Sequence, residues 1–246
     1  MNCHCGEVLS EIDTATLVEP VFVHFDKAHP ELELSRVSVR NYLDAEDRAT
    51  GSVESVPQID EVAIAPITPS LAEEIIDFFD HDAFPDNPAW GSCYCMFYFL
   101  GGRANGDWGH VPWQEIRQAQ LDRLRTGATT GTVARIGGRV IGWCNATARS
   151  EFPGRVTGAN DDTVCSVVCF VIAPPYRGHG LAKMLLAEAV DYARRTGFME
   201  MEAYPRSEPK DAASSYVGAL SMYLEAGFRV KSEDPLVVGL DLRGVP

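Results

Sequence analysis

No stretch of this sequence approaches the roughly 20 consecutive apolar residues that span a bilayer. Its first residues lack the basic-then-apolar pattern of a secretory leader, so the expected setting is the cytoplasm, with no membrane partner. Basic residues are scarce: 21 Lys and Arg stand against 35 Asp and Glu, for a net charge of −14. Such a chain repels phosphate backbones, which argues against nucleic acid as a partner. A cationic partner such as an amine suits it better, although acidity also serves plain solubility. The seven cysteines are odd in number and include no C-x₂-C knuckle. Cys3-His4-Cys5 and Cys93-Tyr94-Cys95 are C-x-C pairs instead, and Cys144, Cys165 and Cys169 lie in apolar runs, where a thiol behaves as a small hydrophobe. Buried free thiols are therefore expected, with a metal site drawing on the two C-x-C pairs as the lesser reading and no metal assigned. Internal repeats and low-complexity tracts are absent too.

What is present is an ordinary globular composition, 46% hydrophobic and 23% charged, in 246 residues. That length holds one full domain, 61–246, and a smaller extension, 1–60. The extension carries twelve acidic and four basic residues, more than half of the acidic excess. Val21, Val23 and Phe25 alternate, as do Leu32 and Leu34, which predicts a hairpin or two short strands, with the phase breaking at Ser35-Arg36. Asn41–Glu54 reads as an acidic loop. The extension would cover an acceptor site, make a homodimer contact, or be a structural addition.

From Glu61 the pattern is regular. Val62–Ile67 predicts a strand, and Ser70 with Glu73 a capping box for a helix with Leu71, Ile75, Ile76 and Phe79 on one face. After an aromatic, glycine-rich stretch, Pro112 suits the first position of a helix ending at Gly127. Thr132–Ile136 and Val140–Thr147 flank Gly137-Gly138 as a hairpin. A strand follows from near Val164, then a helix, a strand over Met199–Tyr204, a helix over about Ser214–Ala226, and two short strands. The strand–helix–strand crossover makes a parallel pair.

The most informative stretch joins the apolar run Val167–Ile172 to a helix with Ala182, Leu185, Leu186, Ala189, Val190 and Ala193 on one face. Between them lie Pro174-Pro175 and the turn Arg177-Gly178-His179-Gly180-Leu181-Ala182. A helix start offers unpaired N–H groups to phosphate oxygens, and glycines let a phosphate approach the main chain. The order is neither the GxGxxG of dinucleotide sites nor the Gly-Lys-Ser/Thr of a P-loop.

This turn, after a strand ended by proline, resembles the pyrophosphate loop of the GNAT N-acetyltransferases. Met222-Tyr-Leu-Glu-Ala-Gly-Phe228 is similar to the family's Leu-Tyr-x-x-x-Gly-Phe ending. Cys93–Met96, Gly142–Cys144, Cys169–Val171 and Glu202–Pro205 resemble segments of one bacterial subgroup. The resemblance covers Glu61 to Leu242. It implies an α/β (α+β) fold: a mixed, mostly antiparallel sheet with one splayed parallel pair and helices on both faces.

The resemblance also implies acetyl-CoA as acyl donor and a small-molecule or peptide amine as acceptor. Main-chain groups of Phe170, Val171 and Ile172 would pair with the pantetheine arm. Residues Arg177, Gly178, His179, Gly180, Leu181, Ala182 and Lys183 would hold the pyrophosphate. Glu202 matches the base of ribosomal-protein alanine acetyltransferases and Tyr223 the family's acid. Each has a rival reading, Glu202 as a solvent-facing strand residue and Tyr223 as a packed aromatic with a satisfied hydroxyl. Tyr216 departs from the family's asparagine beside pantetheine, and Ser214 or Ser215 would substitute. Trp90, Tyr94 and Trp143 would wall the acceptor pocket, with Asp82 or Asp86 near a bound cation; singly, each aromatic also fits a core. The alternatives are an acyl-CoA sensor without turnover and a nucleotide or NAD enzyme.

Overall fold

The computed structural model describes residues 5, 7–9, 14–30, 34–48, 61–101, 110–152, 161–206 and 216–243. Ser214 and Ser215 lie outside them, as does the stretch 49–60. Two helices come first, α1 (Thr14–Ala28) and α2 (Arg36–Arg48). This corrects the expected strands and much of the expected loop. The alternation at Val21, Val23 and Phe25 is a subset of a helical stripe: Leu17, Val18, Val21, Phe22 and Phe25 pack toward Val39 and Leu43 of α2, while Val23 faces outward. The phase break marks a helix start, for Ser35 Oγ accepts the backbone N–H of Ser38 as an N-cap.

The second helix does not stand apart. Its Asn41 donates through Nδ2 to Val111 O (2.9 Å) and accepts from Trp113 N (3.0 Å), while Ser92 Oγ donates to Asn41 O (3.1 Å). Gly91 permits the approach, because a Cβ there would lie 2.7 Å from that of Ala45.

The remaining elements run β1 (Ala63–Pro66), α3 (Ala72–Asp77), α4 (Trp113–Thr126), β2 (Gly131–Ile136), β3 (Arg139–Ala148), β4 (Val164–Ile172), α5 (Leu181–Arg195), β5 (Glu200–Ala203), α6 (Leu220–Glu225), β6 (Arg229–Glu233) and β7 (Leu236–Asp241). The seven strands form one sheet in the order β1-β2-β3-β4-β5-β7-β6. β4 and β5 are parallel and every other neighbouring pair is antiparallel. Residues of α3 and α4 share one core with Val133, Trp143 and Val168; residues of α5 and α6 share another with Cys144, Val167 and Phe170. Helices thus cover both faces, as the sequence predicts. Among the described residues no helix is long and apolar enough to cross a membrane.

Local details differ from expectation. Ser70 lies within a 3₁₀ turn (Pro69–Leu71) and shares a hydrogen bond with Thr68 Oγ1, while Glu73 pairs with Arg125, so no capping box forms. Pro112 sits just outside α4 as its N-cap. The last helix begins at Leu220, later than the expected start near Ser214.

Candidate active site

The site is built where β4 and β5 part. Their pairing runs from Val164↔Glu200 to Val167↔Ala203, while β4 continues to Ile172. Pro205 follows Tyr204 and has no N–H to extend a ladder. A register shift opposite Asn145 and Ala146 adds local twist at Val168, and bulges of this kind bend a strand. The segment Cys169–Ile172 therefore pairs with β3 on one side and has no β5 partner on the other.

At the mouth of this opening lies the glycine turn. Gly178 has φ +78 and Gly180 φ +81, the left-handed region that side chains disfavour. A Cβ built on either would meet nothing within 4 Å, so the space above the turn is open. Gly180 is the N-cap of α5 and its side-chain-free end leaves the N–H groups of Leu181 and Ala182 without a carbonyl inside the helix. Leu181 is buried beneath the turn and Ala182 half-buried, while Leu185, Leu186, Ala189, Val190 and Ala193 anchor the helix to the sheet.

The charged members of the turn are already engaged. Arg177 donates through Nε to Ile172 O (2.8 Å) and forms a two-pronged pair with Asp86. The Ile172 carbonyl is thus shared with a side chain, and Arg177 stitches the turn to β4 and to the aromatic segment. His179 is exposed and donates through Nδ1 to Arg177 O (2.8 Å). Lys183 pairs with Glu225 of α6 (2.5 Å). Main-chain N–H groups are what this turn presents.

Glu202 lies on β5 between Ser166 and Gly239 and is only 3% exposed. Its Oε1 accepts from Tyr204 Oη (2.7 Å) and Arg149 Nη1 (3.2 Å), and Lys231 Nζ stands 3.4 Å from Oε2. Tyr204 Oη also meets Ser166 Oγ at 2.9 Å. Burial works against the charge of Lys231, but the hydrogen bond and charge of Glu200, with Glu202, outweigh it and raise its pKa. Glu202 is thus a buried carboxylate, where the period-2 pattern alone also allowed an exposed one.

Tyr223 is fully buried against Phe170 and Phe228, and its hydroxyl donates to Val217 O at 2.7 Å. Burial pushes the phenol well above its ordinary value, which keeps it protonated. Glu202 and Tyr223 pack with different cores, Tyr204 beside Glu202 belonging to the α3–α4 side and Tyr223 to the α5–α6 side.

The aromatic residues divide in two. Trp90 is half-buried with its ring 5.2 Å from that of Tyr216, whose hydroxyl meets Tyr98 Oη at 2.8 Å. Tyr94 and Trp143 are wholly buried: Tyr94 donates to Asp80 (2.6 Å), which Arg117 also holds, and Trp143 packs on Phe79. Asp82 pairs with Arg139 and Asp86 with Arg177.

Below this wall lies Cys95, held with Tyr94 at positive φ (57 and 45). Burial raises its thiol, but the Cys169 thiol, Asn145 amide and Trp143 indole around the sulfur outweigh that and lower it. Cys169 is correspondingly raised. Sequence reasoning missed Asn145, Arg149, Ser166, Tyr204 and Lys231. Tyr204 was within reach, since a residue two positions along a strand shares its face; Arg149 and Lys231 come from distant segments with no local signal.

Residues 93–228 match the model of the acetyltransferase (GNAT) family. Solved structures with a similar fold include yncA of Salmonella typhimurium with its cofactor acetyl-CoA (16% identity, 75% of this chain and 96% of that one, TM-score 0.45). Others are an N-acetyltransferase of Staphylococcus aureus Mu50 (13%, 74% and 99%, 0.46) and the PaiA N-acetyltransferase of Thermoplasma acidophilum with coenzyme A (13%, 73% and 98%, 0.42). No curated protein matches the chain.

Proposed function

Because this chain belongs to the acetyltransferase (GNAT) family, we propose that it transfers the acetyl group of acetyl-CoA directly to a primary amine. The acceptor class is a small molecule, antibiotic, amino acid or peptide. The observation that carries this reading is the parting of β4 and β5 with an open glycine turn at its mouth. Main-chain groups of Phe170 and Val171 would pair with the pantetheine amides, and N–H groups from Gly178 to Ala182 would take the diphosphate, the Lys183 N–H being used by Gly180 O (3.0 Å). Fixing the thioester beside the nitrogen supplies most of the catalysis.

The amine attacks as a neutral nitrogen: its C–N bond forms as the C–S bond breaks, one proton leaves nitrogen and one reaches sulfur. Glu202, directly or through water, would accept the first. Tyr223 would deliver the second, the thiolate competing with Val217 O for that proton. Trp90, beside the half-buried Tyr216, would offer an aromatic face to the acceptor; Tyr94, Tyr98 and Trp143 pack beneath and hold the wall in place.

A second reading, acyl-CoA binding without turnover, draws on the Tyr223 hydroxyl already being satisfied. Both readings are tested together by calorimetric titration with CoA and by thiol release from acetyl-CoA across an amine panel, with products weighed by mass spectrometry. Turnover supports transfer; tight CoA binding with no turnover on any amine, and no effect of Tyr223→Phe, supports the sensor. Absence of CoA binding sinks both.

A further inference from the structure

The helical extension holds a cluster that the acetyl-transfer reading does not use. Ligand atoms of Cys5, His24 and His29 lie within 4.8 Å of one another. Cys5 Sγ is 3.5 Å from His24 Nε2, and the rings of His24 and His29 stand 5.6 Å apart at 69°. A tetrahedral zinc ion with bonds of about 2.3 Å to sulfur and about 2.0 Å to nitrogen separates those two atoms by roughly 3.5 Å.

The orientation of His24 adds an independent argument. Its Nδ1 lies 3.0 Å from a Glu7 carboxylate oxygen, which only accepts, so Nδ1 carries the proton. In the neutral ring, Nε2 then presents its lone pair toward Cys5. A carboxylate behind the far nitrogen of a histidine is the support that metal-binding imidazoles receive in proteins. His24 is also buried, at 8% exposure, its ring 5.5 Å from that of Phe25, which packs on the core of Val21, Val39 and Leu43.

We infer that Cys5, His24 and His29 bind one zinc-class divalent ion that ties the stretch before α1 to the end of that helix. One thiolate and two imidazoles form a borderline-soft set that suits zinc or cobalt and excludes magnesium and calcium. With Glu7 beside it, the site is close to electroneutral. The role is structural: the ion pins the Cys5 stretch to α1, which packs on α2 through Val21, Val39 and Leu43, and α2 holds Ser92 and Trp113 near the aromatic wall.

The test uses the full chain without an affinity tag, reconstituted with zinc or cobalt(II) and desalted. Metal analysis should give one equivalent per chain, and the cobalt form a thiolate-to-metal absorption band. Cys5→Ser and His29→Ala, at exposed and half-buried positions, should fold and retain under about a tenth of that metal. Glu7→Ala should weaken affinity roughly tenfold to a hundredfold, and Cys93→Ser should leave it unchanged. The inference is overturned if the wild-type chain retains no stoichiometric metal, or if Cys5→Ser and His29→Ala, folded by circular dichroism, retain it fully. Loss of metal on Cys93→Ser would also overturn it. CoA titration of the same samples reports on the glycine turn separately.

Discussion

Asn41 caps a helix that is not its own. Its Oδ1 accepts the backbone N–H of Trp113 at the start of α4, where Pro112 offers no capping side chain. Asp44, one turn along α2, takes the indole N–H of the same tryptophan at 2.8 Å. A carboxylate near a helix start also opposes the positive end of its dipole. The extension is thereby fastened to the segment that precedes α4. Asn41→Ala removes the partners of the half-buried Trp113 N–H and Val111 carbonyl, so it should lower unfolding stability by about 1 kcal/mol or somewhat more. Urea melts measure this, and an unchanged midpoint would mean that α2 is not docked here.

The glycine turn makes a different kind of prediction. Gly180→Ala meets no atom, so its cost is the left-handed conformation alone, about 1–2 kcal/mol. Gly180→Arg, by contrast, fills the space proposed for the diphosphate and should abolish CoA binding in a folded protein. Calorimetry with both variants separates backbone strain from occlusion; CoA affinity retained by the arginine variant would refute the loop assignment.

Elements stabilised by local periodicity were legible in the sequence. The apolar face of α5 and the hairpin through Gly137-Gly138 could be read because their signals repeat within a few residues. The extension misled because Val21 and Phe25 sit four apart on a helix yet two apart from Val23, so a short window fits both periods. The surroundings of Glu202 were unreadable for another reason. Arg149 and Lys231 are brought to it by sheet registry across 53 and 29 positions of chain, which no local pattern encodes.

That environment makes Glu202 testable as a base. Glu202→Gln keeps the shape and removes the proton acceptor, so turnover should drop about a hundredfold near neutral pH, the lower end of general-base contributions. The deficit should shrink at high pH, where the amine loses its proton unaided. Tyr204→Phe keeps the ring and removes the 2.7 Å hydrogen bond. It should lower kcat about tenfold, equivalent to about 1.4 kcal/mol, while KM for acetyl-CoA stays put. A deficit independent of pH in Glu202→Gln would remove it from that role.

Stability should fall on the alkaline side, and the half-buried Cys93 thiol with the buried Cys144 and Cys165 thiols sets where. Burial pushes Cys93 up to about 12 from an ordinary 9.0, and raises Cys144 and Cys165 well above it. The unfolded chain releases these protons near the ordinary thiol value while the folded chain keeps them. Their contribution is therefore complete below that value and is lost progressively as pH rises toward the folded values, by up to about 1.4 kcal/mol per pH unit per group. Tyr223 adds the same sign of effect above 10.0, its ordinary value. Urea midpoints under reducing conditions, from neutral to about pH 11, should decline from near 9 onward in the wild type. Cys165→Ala should start less stable, because a buried sulfur is lost, yet decline less steeply because one titrating group is gone. Parallel declines in the two proteins would mean that Cys165 does not hold its proton in the fold.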